Sequence, residues 1–215
     1  MDALTEQRRA QEVHRLLQRY LIEVVEEWVL CPWALGARVR GEVHAVICWG
    51  ETCDADQVCQ RAARAVALPG VRVAMLIFPE LTRGARALEE LRTRVLRALP
   101  EIAVAAFGPH GELDLASPAR LVPLLRRSPD PMLQLVPHDL LDELKRPTAP
   151  PGLGAQARAL RDLGAPPPTS VVDELAARNH AAVAADGAER LQRTLEELAA
   201  DRAASYARVG IRVAS

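Results

Sequence analysis

The chain is predicted to be an α/β protein: a small, mostly parallel sheet with helices on both faces, followed by a C-terminal helical extension. Three observations carry this. Short apolar runs at residues 43–49, 71–78 and 102–107 alternate with two amphipathic stretches long enough for helices. Connections of that length join parallel strands, and they do so with a right-handed crossover. The runs are apolar along their length rather than alternating, as suits strands covered on both faces.

The elements follow in order. Val13, Leu17, Tyr20, Leu21, Val24 and Trp28 recur at steps of three and four, which predicts one amphipathic helix over residues 6–28. Pro32 ends it, because the residue before proline avoids the helical region. Residues 38–42 form a polar turn around Gly41. Asp54 is placed to cap a helix over 55–68, and Leu88, Leu91 and Val95 mark one face of a second helix over 85–99. Ser117 caps a short helix with Pro118 in its first turn, where the missing N–H costs little. Residues 132–136 read either as a fourth strand or as a helical turn, and a helix over 138–145 follows. Residues 1–146 form the core, 147–169 a Pro-, Gly- and Ala-rich linker with a short helix inside, and 170–215 the helical segment, with Gly187 as a break and Leu191, Leu195 and Leu198 on its stripe.

Composition bounds the function classes. With 215 residues, 49% hydrophobic and 26% charged, the chain has material for one good core and an appendage. A formal net charge of −1 provides no global field for nucleic acid or anionic membrane. Lys145 is the only lysine, so the arginines reflect a compositional bias such as that of a GC-rich genome rather than a basic binding device. No apolar run reaches the roughly 18–20 residues of a membrane span, and residues 1–9 are polar, so a soluble cytoplasmic protein is expected. Cys31, Cys48, Cys53 and Cys59 show no CxxC spacing, which argues against zinc fingers, and disulfides are not expected in that compartment.

If the three strands are parallel, their carboxyl ends carry Glu51, Glu80 and His110, and ligands of open α/β sheets bind at that edge. Two carboxylates and an imidazole suit a divalent metal or an acid–base pair, and the bland alternative is solvated loop residues. Cys31 has three readings: a nucleophile, a haem-thiolate ligand of the Cys-Pro type, or a packed structural thiol beside Trp28 and Trp33. A helix C-terminus raises a thiol pKa and burial suits cysteine, which favours the last. Arg126, Arg127 and Ser128 precede two prolines that fix a corner, where a guanidinium can grip a phosphate or carboxylate with two donors or simply complement a helix end.

Leu30-Cys31-Pro32-Trp33-Ala34, Ala106-Phe107-Gly108-Pro109, the run from Arg127-Ser128-Pro129-Asp130-Pro131 to Leu135, and Arg178-Asn179 together resemble a bacterial family, the one known as domain of unknown function 1415. The resemblance spans about residues 12 to 180 and carries no activity with it. That family has histidines where this chain has Gly108 and Gln134, so any metal or proton-transfer role that the resemblance implies would fall here to His110 and His138. His138 lies one helical turn from Gln134 if that segment is helical.

Two functions of different class follow. The first is a small-molecule enzyme with His110, His138, Cys31 and Glu80 as catalytic candidates, Arg127, Ser128 and Gln134 as substrate-binding candidates, and His110, His138 and Glu80 as ligands of a divalent ion, haem being less favoured. The second is a non-catalytic binding or assembly protein, with a homo-oligomer as one form, acting through its C-terminal helix.

Overall fold

The computed structural model describes residues 3–31, 33–82, 84–145, 171–184 and 187–213. The expected linker helix within 147–169 lies outside them. Helix α1 (Ala3–Tyr20) runs straight into a π-helical turn (Leu21–Glu26), and a short α2 (Ala34–Val39) follows. Then come β1 (Val43–Ile47), α3 (Ala55–Val66), β2 (Val73–Ile77), α4 (Gly84–Ala98), β3 (Ile102–Phe107), α5 (Pro118–Leu125), β4 (Met132–Pro137) and α6 (His138–Lys145). Two helices close the described chain, α7 (Val171–Ala184) and α8 (Ala188–Val209), broken at Gly187. No helix among the described residues is long and apolar enough to cross a membrane.

The fold is α/β with a four-stranded mixed sheet in the order β1-β2-β4-β3. Strands β1 and β2 pair in parallel, and β4 runs antiparallel to both β2 and β3. The three strands expected to be parallel therefore point one way, but they are not contiguous. Residues 132–137 form a strand, not a helical turn, and it enters between β2 and β3 from the rim where they end. Ile77 and Phe107 both pair with Met132, so the exits of β2 and β3 flank the start of β4.

Side-chain alternation splits the core in two. Met75, Ile77 and Met132 face a cluster with Val13, Leu16, Tyr20, Leu121, Leu191 and Leu198, contributed by α1, α5 and α8. Ala74, Leu76, Leu133 and Leu135 face the other cluster with Val58, Ala62, Leu88, Leu91 and Val95 of α3 and α4. Asp54 caps α3 by accepting from the N–H groups of Asp56 and Gln57, as its position predicts. Helix α8 packs along α1, where Arg15 and Arg19 grip Asp201 at 2.7 and 2.5 Å. Each fully buried leucine of its stripe contributes about 1.5–3 kcal/mol of transfer free energy. The C-terminal stripe is therefore covered by its own chain, which corrects the expectation that it waits for a partner.

Candidate functional site

Sequence patterns placed the interest at the carboxyl rim of the parallel strands, and the structure divides that rim into a closed part and an open part. The closed part is a buried ionic network. Glu80, at the exit of β2, is ion-paired through Oε1 to Nη2 of Arg9, and its Oε2 accepts the Gly50 N–H at 3.1 Å. The Arg9 guanidinium also lies 4.5 Å over the Trp49 ring. Nearby, Asp130 accepts from Nε of Arg202 at 2.6 Å and from the Tyr206 hydroxyl at 2.5 Å, while Nη2 of Arg202 donates to the Pro79 carbonyl at 2.9 Å. Burial pushes the Asp130 carboxyl up against the opposing pull of Arg202 and Tyr206. Burial and the adjacent carboxylate push the Tyr206 phenol up, so it keeps its proton and donates. The network binds α1 and α8 to the β2 exit and to the turn before β4.

The open part lies where β3 ends. Gly108 extends β3 through a bridge to Arg127: its N–H donates to Arg126 O at 3.0 Å and its carbonyl accepts from Ser128 N–H at 2.9 Å. The loop over residues 108–117 then passes so close to α5 that a Cβ on Gly111 would sit 2.2 Å from the Pro123 carbonyl oxygen and 2.9 Å from Cγ of Arg127. Only glycine fits there, and the loop backbone lies against the arginine's stem.

Helix α7 ties this loop to the segment around Cys31 with three consecutive side chains. Arg178 donates to Val29 O at 2.9 Å, Asn179 donates to Leu30 O at 3.2 Å, and the His180 ring meets Leu115 O at 2.8 Å. Val29 has φ +50°, a strained value for a β-branched residue, and it lies three residues beyond the end of the π-helical turn. The corner at Val29 and Leu30, just before Cys31, is thus strained, and its carbonyls are held from α7.

The predicted site residues divide accordingly. Cys31, His110, Arg127 and Ser128 belong to the open rim and its supports, whereas Glu80 belongs to the closed network with both carboxylate oxygens engaged. Ser128 is buried and donates its hydroxyl to Asp130 O at 2.6 Å, a structural bond. Burial pushes the Cys31 thiol up, outweighing the N–H groups of Trp33 and Ala34 and the charge of Arg178, so its environment does not favour a thiolate. His138 is a correction. It starts α6 at the far end of β4, where Pro137 pairs with Ile102 and its own N–H donates to Glu101 O, about 17 Å along the strand from the Phe107 end. It cannot share a ligand with His110. Gln134 sits half-buried in mid-strand between Met75 and Ala105, so the one-turn substitution of His138 for it does not arise. Among the described residues, no three His, Cys, Asp or Glu side chains come together as ligands for a metal ion.

Asp130, Arg9, Arg202 and Tyr206 were not singled out from the sequence, although a signal was there. Arg9 continues the stripe of Val13, Leu16 and Tyr20 on α1, and Arg202 continues that of Leu191, Leu195 and Leu198 on α8. A charge in register with an apolar stripe is carried into the core and needs a partner there.

Arg127 differs from these. Among the described residues, the other buried or half-buried arginines each face a carboxylate: Arg9 with Glu80, Arg15 and Arg19 with Asp201, Arg38 with Glu26, Arg72 near Glu42, Arg92 with Glu89, and Arg202 with Asp130. Half-buried Arg127 has none. No protein-family model, curated protein or solved structure matches the chain.

Proposed function

We propose that this is a cytoplasmic protein that binds a small anionic molecule, bearing a phosphate or carboxylate, at the open carboxyl rim, with Arg127 as the clamp. The observation that carries the reading is half-buried Arg127, its backbone fixed by the Gly108 bridge and its stem by the Gly111 loop, left without a carboxylate. A planar five-donor group fixed by its stem suits two-point recognition of such anions. Exposed His110 lies on the same loop and is the group available there to exchange a proton with a bound molecule. On this reading the chain is a diverged relative of the bacterial family it resembles, with its site at the family's second and third motifs.

Thermal unfolding with millimolar inorganic pyrophosphate and, separately, citrate tests this. At least one should raise the midpoint of the wild-type chain and leave Arg127→Gln unmoved. Equal shifts in both proteins, or none in the wild type, would remove the reading.

A further inference from the structure

Helices α7 and α8 meet at Gly187 and hold to the molecule by different means. Helix α8 buries Leu191, Leu195, Leu198 and Tyr206. Of the side chains described in α7, residues 176–184, only Asn179 and Val183 are buried. Its attachment to the corner before Cys31 and to the 108–117 loop is polar, through the bonds from Arg178, Asn179 and His180 to the carbonyls of Val29, Leu30 and Leu115. Arg178 is exposed and His180 half-buried, so water can take over both of those bonds at little cost.

Two features oppose the docked position. Val29, at φ +50°, is held between its own N–H, which donates to Glu26 O at 3.0 Å, and Arg178, which donates to its carbonyl. Beside the joint, the indole N–H of Trp28 is buried and meets no acceptor among the described residues. The Trp28 ring lies so close to Gly187 that a Cβ there would come within 2.3 Å of it. Glycine fits this contact, and it is also the residue most able to absorb a change of backbone direction.

We propose that α7 is a latch that opens about Gly187 while α1 and α8 stay packed, releasing the Val29–Leu30 corner and the 108–117 loop. A helix with few buried apolar contacts and water-accessible hydrogen bonds belongs to the low-stability end of a fold. Opening relaxes Val29 and gives the Trp28 N–H access to water. The loop rests on the stem of Arg127, so the latch sets how firmly that arginine is held. This last consequence rests on the proposed function, whereas the opening itself does not.

Hydrogen–deuterium exchange of the full chain, with no anion added, tests the latch alone. The amides of α7, and those of Val29 and Leu30 that donate to Glu26 O and Val25 O, should open together. They should exchange about tenfold or more faster than the amides of α1 and α8. Low urea should speed only α1 and α8, because the local opening exposes little surface. Val29→Gly removes the strain and should slow α7 exchange about fivefold or more. Exchange of α7 in step with α8, or a Val29→Gly variant with α7 exchange unchanged, would overturn the proposal. The wild-type comparison decides it even where the variant does not fold.

Discussion

Arg202 and Arg127 stand at the same rim of one sheet in opposite circumstances. Arg202 is buried, paired with Asp130, bonded to the Pro79 carbonyl and stacked 4.9 Å from the Tyr206 ring. Arg127 is half-buried and held by backbone on either side, with no carboxylate to meet. A guanidinium whose donors are satisfied inside the protein holds the fold together. One that is fixed in place and unpaired is free to meet a ligand. The same division separates Glu80, with both oxygens engaged, from exposed His110.

The largest effect that can break this comparison lies on the closed side. Asp130→Ala leaves Arg202 buried without its partner and should lower stability by about 3–5 kcal/mol, read from urea unfolding. A loss below 1 kcal/mol would mean that water or another group reaches Arg202 and that the network is not closed.

Next is the support of the open side. Gly111→Ala forces a methyl group against the Pro123 carbonyl, where the chain itself must shift. It should cost about 1–3 kcal/mol and weaken anion binding together with stability. An unchanged midpoint would show that the loop does not press on Arg127.

Smaller still is Asp201, which Arg15 and Arg19 hold down at about 2. Its folded pKa is depressed, so the contribution is present above the ordinary carboxylate value of roughly 3.9 and fades as pH falls towards 2. The pair is partly exposed, so its worth is under about 1 kcal/mol. Asp201→Asn should lower stability at neutral pH by under about 1 kcal/mol and flatten the acid limb, the difference from wild type closing as pH falls towards 2. A loss at neutral pH as large as that of Asp130→Ala would erase the distinction between exposed and enclosed pairs.

Much of this was legible in the residues, and the parts that were not have physical causes. The strands followed from their short continuous apolar runs, the helices α3 and α4 from their periodicity, and the break at Gly187 from its composition. The direction of β4 did not, because a six-residue apolar run reads the same either way. The π-helical turn is invisible for a similar reason: the spacing from Leu17 through Tyr20 and Val24 fits an ordinary helix, and one extra residue per turn leaves no mark. Helix α2 buries only Ala37 and so shows no stripe. At the site, the corner at Arg127 was visible through its prolines, but the partners of Asp130 lie 72 and 76 residues further along the chain. Only the placement of Arg9 and Arg202 on apolar stripes announced them.

The most direct measurement is a calorimetric titration of the full chain and of Arg127→Gln with pyrophosphate and with citrate, alongside urea unfolding of both. The account predicts saturable binding of at least one anion by the wild type and a loss of tenfold or more, about 1.4 kcal/mol, in the variant. Their unfolding midpoints should coincide within about 0.5 kcal/mol. Equal affinities in the two proteins, no binding by the wild type, or a variant destabilised like Asp130→Ala would contradict it.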